Sequence, residues 1–275
     1  MTDIPRDRWG RPLIIPPDGG KPIGYTRVST MAKMLDDTTN LMSWKQRVTV
    51  VGLARRADLR TRLAGIIASN TDPVGGDGKR DLNGVCAEAA EAGGGSTAAS
   101  AGTGIHELTE AVDRGTDPAD LLVDEGLADR LRQYAEATAC LEVLAIETFV
   151  VNDELRAAGT FDRLVRLPGG RVVVADLKTG AHDANYPLGV AVQIAVYAHG
   201  SLYDPVTVAR SELHPDLDLT TGLLIHLPQK GDGCRLYALD LTAGYRAALV
   251  AADVHEIRAW KAPSLATPYP TGAPA

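Results

Sequence analysis

The sequence predicts a mixed α/β (α+β) fold: a central mixed β-sheet flanked by helices and entered through a helical N-terminal region. Three observations predict it. Hydrophobic spacing is helical from Thr26 to about Ile67 and again over 119–140. Near residue 142 it changes to two-residue alternation rich in β-branched side chains. Beyond residue 180 the order is helix, strand, strand, helix. The chain has 275 residues, 45% of them hydrophobic, enough to bury a sizeable core.

The elements follow in order. Residues 1–24, rich in Pro and Gly, read as an extended arm. Residues 25–102 read as a helical region. Met31, Met34 and Leu35 recur at helical spacing, then Leu41, Trp44 and Val48. TDPVGGDGKRDLN (71–83) is a loop by composition, and AEAAEAGGGSTAASAG (87–102) is a helix broken by glycines. A core is expected over 103–262. It opens with a helix through IHELTEAVDRG and a second over 119–140. Strands follow at VLAIETFVVN (143–152), LRAAGTFDRLVRL (155–167) and RVVVADLKTG (171–180), the last two joined by the turn PGG (168–170). PLGVAVQIAVYAHGSL (187–202) returns to helical spacing. TGLLIHL (221–227) and CRLYALDL (234–241) form a hairpin, and a helix closes the core over 242–261. The tail, 263–275, has the composition of a disordered segment.

Composition narrows the functional classes. The net charge of −7 does not suit a general nucleic-acid binder, but its distribution is uneven. Residues 1–62 carry twelve Lys/Arg and six Asp/Glu, a balance of +6, which leaves −13 for the remainder. A basic front and an acidic body suit a protein that meets phosphate with its N-terminal part and carries carboxylates in its body; an ordinary mixed surface gives the same numbers. Cys86, Cys140 and Cys234 form no C-x-x-C pair, so neither a disulfide framework nor a four-thiolate site is expected. No apolar run is long enough to cross a membrane, and the N-terminus lacks a secretory pattern. The expectation is a cytoplasmic protein without membrane association.

The chemistry concentrates in the strands. Residues two apart on a strand share a face, so Asp176 and Lys178 point the same way. The VVVA run before them marks a buried strand, whose end is a costly place for charge unless it is paired or binds something. Pairing the strands symmetrically about Gly169 sets Asp162 opposite Asp176. Two carboxylates converging from neighbouring strands are what a divalent-metal site needs. D-L-K by itself reads as an ion pair at a strand end; G-T-F-D upstream, with the hairpin symmetry, shifts the reading to a site.

G-T-F-D (159–162), V-A-D-L-K-T-G (174–180) and Q-I-A-V-Y (193–197) resemble, in order and spacing, the RecB-type branch of the PD-(D/E)XK nucleases. The resemblance covers roughly residues 100–240 and is strongest to small phage-encoded exonucleases. It implies a restriction-endonuclease-like core and a metal-dependent DNA exonuclease acting in phage recombination, repair or processing, in the bacterial host cytoplasm if phage-encoded. One or two Mg²⁺ or Mn²⁺ ions would be held by Asp162, Asp176, the main-chain carbonyl of Leu177 and His106 of G-I-H-E (104–107), with Lys178 orienting water. A lone histidine beside the stripe Ile105, Leu108 and Val112 otherwise reads as structural, and Glu110 would support it from one turn away. By resemblance Gln193 and Tyr197 line the DNA near the scissile phosphate; a helix flank packed on the sheet is the alternative. Glu147 is a further candidate ligand, or a solvated strand-face glutamate. For backbone contacts to DNA the candidates are Arg27, Lys45 and Arg47, with Lys33, Arg55 and Arg56; solvated helix faces would look the same. Trp44 reads more simply as core than as a base-stacking platform.

Two departures limit the resemblance. Three dispersed cysteines do not supply an iron–sulfur cluster, so none is expected. GGDGKRD (75–81) has Pro73 and Arg80 where a phosphate loop needs Gly and Ser/Thr, so no ATP site is expected. A homo-oligomer is compatible with everything above. The rival reading is a catalytically inactive nucleic-acid-binding protein on a nuclease fold.

Overall fold

The computed structural model describes residues 4–95, 97–180, 183–229, 233–261 and 265–266. Contacts divide the chain into a sheet unit, Met1–Asp36 with Val123–Ala275, and a helical unit, Asp37–Leu122. The division differs from the expected boundary at residue 102: the helix carrying His106 belongs with the helical unit, and the N-terminal 36 residues belong with the sheet.

The expected extended arm is folded. β1 (Leu13–Ile14) and β2 (Ile23–Gly24) form an antiparallel ribbon. Ile14 and Tyr25 are buried against Val151 and Ala158 of the sheet. The helical pattern read from Thr26 is interrupted at its start. Thr26–Arg27 is a strand, β3, before α1 (Val28–Ala32) begins. β3 pairs with residues far along the chain, so local spacing carries no sign of it.

In the helical unit, α2 (Thr39–Arg55), α3 (Ala57–Ser69), α4 (Lys79–Ala92) and α5 (Thr97–Asp113) follow one another. The loop after α3 ends at Gly78, earlier than expected. α4 stops at the glycines 93–95, as their spacing suggested. Leu59, Val85 and Ala89 are the buried centre of α3 and α4. α2 meets α4 so closely that a Cβ on Gly52 would lie 1.7 Å from the Ala89 carbonyl oxygen, so only glycine fits. Trp44 is exposed rather than core, because α2 buries only Gly52.

The sheet unit resumes with α6 (Glu125–Thr138), whose first turn is capped by the Asp124 carboxylate accepting from Leu127 N at 3.0 Å. β4 (Glu142–Asn152), β5 (Ala157–Arg166) and β6 (Val172–Lys178) follow as a meander. After them come α7 (Leu188–Ala198), β7 (Ser201–Tyr203), β8 (Arg210–Ser211), β9 (Thr221–His226), β10 (Arg235–Asp240) and α8 (Leu241–Ile257). The helical run read over 187–202 thus ends early and yields β7, which pairs with β4.

The strand order is β10-β9-β6-β5-β4-β7-β8, with β3 beside β5. β6 and β9 are parallel, as are β3 and β5, and the other pairs are antiparallel. This is the mixed sheet that the sequence predicts. α7 and α8 cover one face through Val190, Ile194, Leu241 and Ala248, which share a core with Val172, Val174 and Leu224. α6 covers the other, where Tyr134 lies under the Arg163 guanidinium. No helix among the described residues is long and apolar enough to cross a membrane.

Candidate active site

β5 and β6 pair as Arg163↔Ala175, Leu164↔Val174, Val165↔Val173 and Arg166↔Val172, symmetric about Gly169 as expected. The turn is closed by Gly170, at φ +84°, donating to Leu167 O at 2.8 Å. Beyond Arg163 and Ala175 the strands part, and β6 follows β9 instead, pairing Asp176↔Leu224 and Lys178↔His226. The parting strands open the space in which the site sits. Asp162 spans it: its Oδ2 accepts Leu177 N at 2.8 Å, replacing a ladder bond with a side-chain one.

Asp176 is 1% exposed, at the end of a strand buried on both faces. Its Oδ2 stands 2.5 Å from Lys178 Nζ, and its Oδ1 accepts from Gln193 Nε2 at 2.9 Å. Lys178 Nζ also donates to Gln193 Oε1 at 3.4 Å, so strand and helix close a ring of three polar groups. Gln193 belongs to α7, whose remaining face is core, and Tyr197 follows one turn later. Tyr197 passes over Gly159 of G-T-F-D: a Cβ there would lie 3.1 Å from the phenol oxygen. The absent side chain of Gly159 makes room for the tyrosine, a role that the motif itself did not reveal.

The field at this strand end is negative. Burial works to lower the Lys178 pKa, but Asp176 and Asp162 outweigh it and hold the ammonium above the usual lysine range. Burial, then Asp176 and Asp162, with Glu147 adding to them, push the Tyr197 phenol far above its usual range, so it remains a neutral hydrogen-bond donor. Arg163 Nη1 stands 4.0 Å from Asp162 Oδ2. Three carboxylates, Asp176, Asp162 and Asp183, therefore act on the one ammonium of Lys178, with the Arg163 guanidinium at a distance.

The chain matches no protein-family profile and no curated protein.

Of the residues singled out in the sequence, Asp162, Asp176, Lys178, Gln193 and Tyr197 come together, with the Leu177 backbone among them. Glu147 faces the Asp162 position, between the pairs Ile146↔Arg163 and Thr148↔Phe161, in the left-handed conformation at φ 47°. Its charge reaches Tyr197, yet among the described residues no three His, Cys, Asp or Glu gather as a metal-holding group. Glu147 thus stands across the β4–β5 ladder from Asp162 and adds its charge to the field that Asp162 and Asp176 set up at Tyr197. His106 lies on α5 in the helical unit, half-buried, its carbonyl accepting from Thr109 Oγ1 at 2.9 Å. Glu110, expected to support it, pairs with Arg114 at 2.9 Å. Arg27, Lys45 and Arg47 are exposed, as are Lys33, Arg55 and Arg56. Of these, Arg56 is engaged with Asp58 at 2.6 Å.

Two neighbours were missed. Arg163 is 1% exposed, over the Tyr134 ring. In R-L-V-R its charge reads as a solvated strand face, and no local pattern distinguishes it. His226 is the β9 neighbour of Lys178 and donates from Nε2 to Gly180 O at 2.8 Å, tying down the chain as it leaves β6. Its place at the end of TGLLIH was the available signal.

Two aspartate carboxylates and a main-chain carbonyl are hard oxygen donors, and Mg²⁺ is commonly held by one or two carboxylates with the remaining positions left to water and phosphate. The residues present, with their excess of negative charge, fit such an ion.

Proposed function

We propose that the protein is a metal-dependent deoxyribonuclease that hydrolyses DNA phosphodiester bonds, and that it acts as an exonuclease in phage recombination, repair or processing. The observation that carries the reading is the buried Asp176, bound to Lys178 and Gln193 where β5 and β6 part, with Asp162 converging on the same strand end. Asp162, Asp176 and the Leu177 carbonyl would hold Mg²⁺ or Mn²⁺. The ion, when bound, lowers the pKa of a water and offsets charge growing on the phosphate.

The chain's own groups do the rest. Asp176 and Gln193 fix the Lys178 ammonium, which stays charged and can donate to a phosphate oxygen or orient the attacking water. Tyr197 stays protonated, so it serves as a donor and not as a base. The β6 backbone is anchored on both sides of Lys178, by Asp162 at Leu177 and by His226 at Gly180, so the ammonium need not be ordered when the substrate arrives.

The test is incubation of end-labelled linear, circular and single-stranded DNA with Mg²⁺, with Mn²⁺ and with EDTA, for wild type and Asp176→Asn. Metal-dependent loss of linear DNA by wild type alone supports the proposal. Cutting of circles makes the enzyme an endonuclease. Intact DNA in every lane, with binding retained, favours a binding protein on a nuclease fold.

A further inference from the structure

Arg130 lies on α6, one turn before the buried Tyr134. It is half-buried, and Nη2 donates to Leu227 O at 3.1 Å. The Leu227 N–H in turn donates to Lys178 O at 2.9 Å. The guanidinium therefore sits at the carboxyl ends of β6 and β9, one residue beyond the His226 that pairs with Lys178. Carboxyl ends of parallel strands are where open α/β sheets bind ligands.

Arg130 combines partial burial with the lack of an acid among the described residues. Its Nε is sealed from solvent without an acceptor, and among the described residues no carboxylate pairs with it. Burial lowers its pKa, and among the described residues no neighbouring charge compensates. Its neighbour Arg132 is the contrast: exposed, and bonded to Asp129 at 2.6 Å. A cation taken partly out of water is commonly paired. Here the position is braced as well, since Gln133 accepts from Gly233 N at 3.2 Å and fixes this flank of α6 to the chain entering β10. A charged fork held through Nη2, with Nη1 neither bonded among the described residues nor sealed from solvent, at the ligand-binding end of the sheet, is built to receive an oxyanion.

We propose that Arg130 binds a backbone phosphate of the DNA, seating the strand at the carboxyl ends of β6 and β9. The inference rests on the nuclease reading above and adds a substrate contact to it.

The experiment is fluorescence anisotropy of a short labelled DNA duplex with the full chain in EDTA, across a salt series, for wild type, Arg130→Gln, Arg130→Lys and Arg132→Gln. Thermal melts check that each variant is folded. For Arg130→Gln the expected result is affinity lower by roughly tenfold and a log–log salt slope reduced by about one. Arg130→Lys should keep most of the slope and Arg132→Gln should match wild type. A purely structural tie to Leu227 would lower the melting temperature and leave the slope unchanged, which overturns the proposal. Arg130→Gln binding as wild type does overturns it too, with the nuclease reading intact. If wild type itself binds no duplex, both fall together.

Discussion

The sheet unit holds two clusters of the same ingredients: a carboxylate, a cation and a tyrosine. At one, Asp153 accepts from Arg210 Nε at 3.0 Å on Oδ2, and from Arg210 Nη2 at 3.1 Å and Tyr25 Oη at 2.7 Å on Oδ1. Arg210 also donates to Ile15 O at 2.7 Å, so the cluster fastens the N-terminal ribbon to the sheet. One anion meets one cation in a bidentate pair, with Arg156 a further positive charge acting on Tyr25. At the other, Asp162 and Asp176, with Glu147 nearby, face Lys178 closely and Arg163 at a distance. The first cluster is complete in itself and serves the fold; the second has charge to spare. The two clusters differ in the balance of charge rather than in the residue types.

The largest expected effect breaks the comparison at Asp176. Asp176→Asn keeps the shape of the side chain and removes the charge. Cleavage in Mn²⁺ should fall by about a thousandfold or more if the carboxylate holds the ion. The equivalent change at the balanced cluster, Asp153→Asn, should leave cleavage per folded molecule essentially at wild-type level. Comparable losses of activity from both variants would show that the clusters do not differ in kind.

Lys178→Met comes next. Loss of the ammonium should lower cleavage by about a hundredfold, the scale for one group that stabilises developing charge. It also leaves Asp176 buried without its cation, so the metal-free variant should melt below wild type. Added Mn²⁺ should then raise its melting temperature more than it raises that of wild type. An equal rise in both would mean that the ion and the ammonium do not answer the same excess of negative charge.

What could be read from the sequence divides along similar lines. The β5–β6 hairpin was legible because its information is local: a turn of Pro and two glycines, and apolar alternation on either side, place Asp162 near Asp176 within a span of fifteen residues. Gln193 and Tyr197 follow from one helical turn. The ribbon and β3 were not legible, because β3 is two residues long and its partner, Ala157–Ala158, is about 130 residues away. The N-terminal segment therefore read as an arm and the start of a helix. Arg163 was hidden for another reason: a charged side chain in a strand looks solvated until α6 is known to cover that face. The helical unit was the least readable. α2 buries only Gly52, so its apolar residues give no indication of which face meets a partner, and Trp44 was assigned to a core it does not join.

At the balanced cluster the effects should appear in stability. Asp153→Asn disturbs a partly buried bidentate pair and should cost about 2 kcal/mol, seen as a melting temperature lower by several degrees.

The smallest effect concerns Tyr25. Burial, and then the hydrogen bond and charge of Asp153, push the Tyr25 pKa up to about 12. In the unfolded chain the phenol titrates near its ordinary value of 10.0. The folded state thus holds the proton more tightly, and the stability that Tyr25 contributes is fully present below pH 10. It declines as pH rises from there toward 12, because the unfolded chain ionises first. Tyr25→Phe loses the hydrogen bond, about 1 kcal/mol at neutral pH, but has no phenol to ionise. The stability gap between the two proteins should therefore be constant to about pH 9 and then narrow as pH rises. Urea unfolding midpoints of both proteins over that range measure it. Tyr245, whose pKa burial and Glu154 also push up to about 12, is present in both and cancels from the difference. A gap that stayed constant through pH 11 would mean that Asp153 does not hold the phenol, and that the ribbon is fastened by Arg210 alone.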